Sequence, residues 1–402
     1  MEFNDGLEVA PKNATLATLG RDRISQRVLG SFGFSDVLRS LDGAQYVLST
    51  PTLNLTAIAA RPTEGVFQVN GWAELNINVF YGALTGQVGT DRHPGAWRLF
   101  GLGDHDYRQG VAKTDNRPAA VRNADSESIV IGTYGGNYLH VAATPAGPFD
   151  LLVWGAVQTG AWGTLTHRAG AIAAEVGWQP AGLPALRPWI CGGYDYSSGD
   201  PDPADDRHGT FFPVLPTARL YARMPFFNLM NSVDLFGELI LRPSNRLTLR
   251  ADVHALRLAD KNDLWYSGGG AFQPGTFGFS GRPSNGQTGL ATLYDVSGDV
   301  ALNPHVAFGL LLRVRPQPGG GAHDFPGRQR RPLRLHRMAG SLVTDSFCAN
   351  SHSPAALRAA MATTPAHCAG VGRTCATVAP NWTRTSAPMT RKSTVRGIRV
   401  ER

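Results

Sequence analysis

Arg250, Asp252 and His254 stand at alternate positions of one run, a set that invites an acid–base reading. In an extended chain this spacing puts all three on one face, about 7 Å apart along the strand. Proton transfer needs heavy atoms within about 3 Å, or one water between them. The triplet therefore suits a charged wall better than a catalytic pair. No serine elbow, zinc-binding helix, phosphate loop or dinucleotide fingerprint occurs elsewhere, so neither an enzyme nor a cofactor is expected. Asp200, Asp202, Asp205 and Asp206 could offer oxygens to calcium, but they lack EF-hand spacing, and a solvated acidic loop is the plainer reading. Trp265 to Gly281 is rich in glycine and aromatics; it could fold into a mouth and stack on sugar rings, or be a flexible loop tip. Cys368, Cys375 and His367 look like metal ligands only superficially.

The element that would position such residues is the strand. Thirteen segments alternate with a period of two: about 43–50, 52–60, 72–81, 96–103, 127–134, 137–144, 149–158, 166–178, 187–196, 234–242, 246–257, 290–301 and 306–314. In 246–257, Leu247, Leu249, Ala251, Val253 and Ala255 share one face, and Thr248, Arg250, Asp252 and His254 the other. In 72–81, Leu75, Ile77, Val79 and Tyr81 alternate with Glu74, Asn76, Asn78 and Phe80. Soluble sandwiches alternate too. Two features favour a membrane barrel. Connections alternate between short (145–148, 243–245, 303–305) and long (197–233, 258–289), and aromatics such as Tyr46, Trp72, Tyr81, Trp97, Trp154, Trp178, Trp189, Tyr194, Tyr196 and Tyr294 gather near strand ends. The stretch Arg21–Arg27 reads equally as short helix, strand or ordered loop.

Composition agrees. The 402 residues include 47 Gly and only 17% charged residues, which suits strands and turns. Thirteen of the 38 Lys and Arg, but three of the 31 acids, follow Arg315; that stretch carries +10 and the preceding one −3. The basic excess is thus confined to the tail, and no nucleic-acid partner is expected. Only Cys191 lies outside the tail, so no disulfide framework is expected in the body. No signal peptide and no apolar run of roughly 18 residues is visible.

Four stretches, GRDRISQRVLG (20–30), RPTEGVFQVNGWAELNINVFYGALTG (61–86), FFPVLPTARLYARMPFFNLMN (211–231) and a segment within 241–286 containing LTLRADVHALRLADKNDLWYSGGGAFQPGTFGFSGRPSNG, resemble the alginate export family of outer-membrane porins. The resemblance covers about residues 1–314. It implies an antiparallel transmembrane β-barrel of eighteen strands in the family, passing a polyanionic uronate polymer out of the cell. The thirteen segments would match family strands five to seventeen, with 104–126 a long periplasmic, plug-like loop. Residues 1–315 would then form an incomplete barrel, and 316–402 an aberrant basic tail. The opening residues resemble the end of an internal strand, and no final aromatic-ending strand follows 314; a frameshift and a disordered extension are both open readings of the tail. On this register the chain as written is not expected to close or insert normally.

The expected function is a porin for an anionic exopolysaccharide such as alginate, with a porin for small organic or sugar acids, or a non-functional barrel remnant, as alternatives. Glu74, Arg98, Asp150, Glu175, Arg187, Asp234, Glu238, Arg250, Asp252, His254 and Asp299 are the lumen-lining candidates, ordinary lumen ion pairs being the competing reading. The expected partners are an anionic polysaccharide and outer-membrane lipid, with periplasmic export scaffold proteins a further candidate. A monomer is expected.

Overall fold

The structure is a computed structural model that describes residues 1, 3–9, 11–30, 39–66, 73–216, 228–303, 306–314 and 341–344. Two compact units are separable, Met1–Ser346 and Phe347–Arg402; the second, with most of the basic tail, lies outside the described residues.

The first unit is built on one antiparallel ladder. Its strands are β1 (Arg39–Ser49), β2 (Leu53–Val66), β3 (Ile77–Gly89), β4 (Pro94–Asp106), β5 (Ile129–Ala142), β6 (Phe149–Trp162), β7 (Leu165–Trp178), β8 (Trp189–Ser197), β10 (Ser232–Ser244), β11 (Leu247–Arg257), β14 (Gly289–Asn303), β15 (Val306–Val314) and β16 (Ser341–Thr344), each paired with the next. The two-residue β9 (Arg207–His208) lies parallel on β7, and β12 (Leu264–Gly268) with β13 (Phe279–Pro283) forms a separate hairpin.

Two expected strands, 127–134 and 137–144, are one. Gly135 and Gly136 stay in the ladder, opposite Ala156 and Gly155 on β6 and Phe100 and Leu99 on β4. Glycine is required there by crowding, since a Cβ on Gly135 would stand 2.4 Å from the Gly155 carbonyl oxygen. The pair therefore marks close backbone approach, not a turn. This continuity changes the parity of everything before it. The connections 50–52, 90–93, 143–148, 179–188 and 245–246 share one end, while 107–128, 163–164, 198–231 and 258–288 share the other. The 104–126 segment thus opens at the same end as the long loops, not at the short-turn end where a periplasmic plug was expected.

Burial in this ladder is inverted relative to a water-soluble protein. Along β7, Glu175 is 5% exposed and its neighbour Val176 61%; along β10, Asp234 is 3% exposed and Leu235 60%. The outward rows carry Leu99, Val153, Ile172, Leu239, Val253 and Val296, while Arg98, Asp150, Glu175, Asp195, Asp234 and Glu238 point inward. Covering a Val or Leu side chain is worth about 1.5–3 kcal/mol, so rows of bare aliphatics are a stable surface only against lipid. Tyr46, Tyr194 and Tyr294 also face outward, as do Phe80, Tyr134 and Phe149. Tyr81, Trp154 and Trp189, grouped with them by sequence, are buried on the inner face; Trp72 lies outside the described residues.

The inner face is lined by residues 3–9 and 11–30. Helix α1 (Ala14–Leu19) is capped by Asn13, whose side chain accepts from the Thr15 and Leu16 amides. A π-helical turn, Gly20–Ile24, follows, and then extended chain that bridges Leu29 to Leu215. Arg21–Arg27 is therefore a helical turn passing into an ordered loop. This segment explains a reversal in β3. There Leu75, Ile77, Val79 and Tyr81 are buried and Phe80 is exposed, because Phe3 packs on the Tyr81 ring at 4.9 Å. The apolar face of this strand points inward.

Candidate functional site

Ion pairs between the inner segment and the strands organise the charged wall. Arg23 Nε donates to Glu175 Oε2 at 2.7 Å, and Arg27 Nη1 to Asp195 Oδ1 at 2.6 Å; Arg27 Nη2 also reaches Glu175 at 3.3 Å. Arg23 lies over the Phe236 ring at 4.4 Å and Arg27 over Trp154 at 5.1 Å. On the opposite flank Arg98 donates to Asn137 at 2.9 Å, its cross-strand neighbour, and to Glu8 at 3.3 Å, Asp5 at 3.5 Å and the Tyr81 hydroxyl at 3.1 Å. Burial pushes the Asp5 carboxyl up to about 6, against the pull of Arg98. Tyr81 donates to Glu8 in turn.

A second group spans β10, β11 and β14. His254 Nδ1 meets Asp234 Oδ2 at 2.7 Å, and Arg250 pairs with Glu238 at 3.0 Å. These are diagonal neighbours: the register sets Phe236 opposite His254, and Glu238, Asp252 and Asp295 in one row. Asp195 and Asp234 also face each other across β8 and β10. Asp150 accepts from Trp189 Nε1 at 2.9 Å. Such a wall is costly to dehydrate and strongly penalises loss of one partner.

Six sequence-predicted residues, Arg98, Asp150, Glu175, Asp234, Glu238 and His254, are buried on this inner face; Arg250, Asp252 and Asp299 stand half-buried in the same phase. Two candidates stand elsewhere. Glu74 is exposed and pairs with Arg61 at 3.2 Å, because β3 turns its apolar side inward. Arg187 sits in the turn before β8, with φ of 43°, donating to the Arg242 carbonyl oxygen at 2.8 Å and Asn245 at 3.0 Å. Sequence reasoning passed over Asp5, Glu8, Arg23, Arg27, Asp104, Asp195 and Asp295. The alternation that found Asp234 also runs through Asp195 and Asp295; the arginines of the inner segment carry no such signal.

The loops at the long end are fastened to one another. Buried Asp263 accepts from Thr210 Oγ1 at 2.6 Å, the Tyr266 hydroxyl at 2.7 Å, and the amides of Asp200 at 3.0 Å and Leu264 at 2.7 Å. Burial raises the Asp263 carboxyl, though these bonds pull it down. Asp115 accepts from Trp162 Nε1 at 2.9 Å and from Arg117 at 2.8 Å; Arg108 donates to the Gln273 carbonyl at 2.5 Å, and Thr114 to that of Phe279 at 2.9 Å. His167 and His208 face each other through Nδ1 at 2.9 Å, under the Trp162 ring. Burial lowers the His208 imidazole well below its ordinary range.

Tyr266, Phe272, Phe277 and Phe279 are buried with Phe212 and Trp162 in the apolar core of this cap. The glycine- and aromatic-rich loop is therefore folded, with these rings engaged in packing. Asp200, Asp202, Asp205 and Asp206 do not converge. Asp200 is buried and pushed by burial up to about 7, while the others are exposed and accept from nearby amides or face solvent. Among the described residues no group of three or more His, Cys, Asp or Glu is arranged to hold a metal. No described helix is long and apolar enough to cross a membrane, which says nothing of strands.

A family model described as alginate export matches residues 10–321. No curated protein matches the chain.

Proposed function

We propose that this chain, which belongs to the alginate export family of outer-membrane polysaccharide channels, passes an anionic exopolysaccharide such as alginate through a lumen walled by the charged inner face. The observation that supports this reading is the inverted ladder, with bare aliphatics outside and ionised groups inside. A polyuronate needs cations to attract its carboxylates and interleaved acids to let them go. Arg98 and Arg250, with Arg23 and Arg27 from the inner segment, supply the first; Glu175, Asp195, Asp234, Glu238, Asp252 and Asp299 supply the second. No covalent step is involved. The long-loop end faces the exterior, following the rule that barrels keep short turns on the periplasmic side. Outer-membrane lipid is then the solvent of the outward rows, and a periplasmic scaffold would meet the short turns. The chain works as a monomer on this reading.

The test is planar-bilayer conductance of the full chain. Discrete steps blocked by oligouronates, and not by neutral oligosaccharides of equal length, are expected. Equal block by both would overturn the anionic substrate. Block by monomeric sugar acids alone would favour the small-acid porin. A chain without heat-modifiable mobility in vesicles would be a barrel remnant.

A further inference from the structure

The outward face has its own charge pattern. From β3 to β15, the outward-phase positions of the described ladder strands carry two charged side chains, Arg168 on β7 and Arg257 on β11. Both are exposed, and both stand at the long-loop end of their strands, above the aliphatic rows of Ile172 and Val176 and of Leu249 and Val253. A third arginine joins them. Strand β8 ends at Ser197, opposite Ala171, and above it β9 pairs with β7, setting exposed Arg207 opposite Thr166. Arg168 is two residues further along that face of β7, about 7 Å away. Among the described residues none of the three arginines makes a salt bridge. Arg61, outward on β2, has by contrast Glu74 as its partner. The outward rows at the short-turn end of β3 to β15 hold no ionised side chain among the described residues.

We infer that Arg168 and Arg207, with Arg257 on β11 beyond β8 and β10, form a docking surface for the phosphates of the phosphorylated glycolipid of the outer leaflet. Three features point to a lipid rather than a soluble anion. The arginines belong to the lipid-facing phase, they lie at the rim of the apolar belt, and exposed Tyr194 stands between their strands. A guanidinium offers a fixed fork to phosphate oxygens, and a lipid whose chains lie on the aliphatic rows brings its headgroup to that level. The placement of this end at the exterior rests on the proposed function.

The experiment uses the full chain refolded in detergent micelles and native mass spectrometry. The probes are bis-phosphorylated lipid A, the same lipid A with both phosphates removed, phosphatidylcholine and inorganic phosphate. Lipid A is expected to remain bound at concentrations at least tenfold below those needed for its dephosphorylated form. The triple variant Arg168→Gln, Arg207→Gln, Arg257→Gln should lose that preference, the corresponding Lys variants should keep part of it, and Arg92→Gln at the short-turn end should keep all of it. Equal retention of the two lipid A forms, an unchanged triple variant, or equally tight binding of inorganic phosphate would overturn the inference. Heat-modifiable mobility separates this from the parent reading. A chain that folds in micelles and ignores lipid A refutes the docking surface alone; one that never folds in micelles refutes both.

Discussion

Asp263→Ala is the sharpest probe of the loop cap. The carboxylate accepts four hydrogen bonds, joining 198–216 to the β12–β13 hairpin. Truncation leaves the Tyr266 hydroxyl, the Thr210 hydroxyl and the Asp200 amide without that acceptor. Each buried orphan costs roughly 1–3 kcal/mol. Removing a carboxylate that burial already disfavours offsets part of this, so about 3 kcal/mol of cap stability should go. That is on the order of a hundredfold in the open population. Hydrogen exchange of the micelle-refolded chain reads it directly: the Asp200 and Leu264 amides should exchange about a hundredfold faster, while β6 and β7 amides hold their rates. An even loss of protection in cap and ladder would refute the reasoning, because Asp263 would then be supporting the whole fold. Unchanged cap amides would refute it equally, since the carboxylate would not be fastening the loops.

Other expectations follow from the same contacts. Asp200 is held near pH 7 in the closed cap, above its ordinary 3.8, so the closed form is penalised above pH 7 and relieved as pH falls; buried His208, depressed below its ordinary 6.5, opposes this once pH drops under that value. Exchange protection of 198–216 should rise from pH 8 to about 6.5 and then level off, and Asp200→Asn should abolish the rise. Arg27→Ala strands Asp195 in a buried site, while Glu175 keeps Arg23, and should cost about 3 kcal/mol by denaturant titration; a loss below about 1 kcal/mol would show that water already screens the pair. Gly135→Val should destabilise β5 by at least about 1–3 kcal/mol through overpacking, whereas Gly82→Ala, whose Cβ meets nothing within 4 Å, should be close to neutral. Similar melting of the two glycine variants would contradict the continuous strand.

The ladder was legible in the sequence wherever one face meets lipid and the other ions. Alternation in β10 and β11 marks the two faces correctly down to Leu235 and Asp234. It failed in β3 for a physical reason: Phe3 and the inner segment cover that part of the wall, so apolar residues there face inward. Period two says that the faces differ, not which one meets lipid. It failed again at Gly135–Gly136, where two glycines imitate a turn but serve close packing. The inner segment itself was illegible. Arg23 and Arg27 find Glu175 and Asp195 some 150 or more positions away, and no local pattern records a contact of that range.

The charge balance of the wall also bears on what can move during transport. The strands alone present Glu175 and Asp195 as close neighbours, and among the described residues no strand-borne arginine pairs with either; Arg23 and Arg27 come from the inner segment. On the proposed function, withdrawing that segment would leave neighbouring carboxylates facing the path of a polyanion, raising the barrier it must cross. It would also expose the apolar inner side of β3, whose Ile77 and Val79 are fully buried. The long-end cap is tied to this segment: the Gly30 amide donates to the Leu215 carbonyl and the Leu215 amide to that of Val28. Its loops are joined to one another by hydrogen bonds and an aromatic core, so moving 198–216 would pull on the chain that carries Arg23 and Arg27.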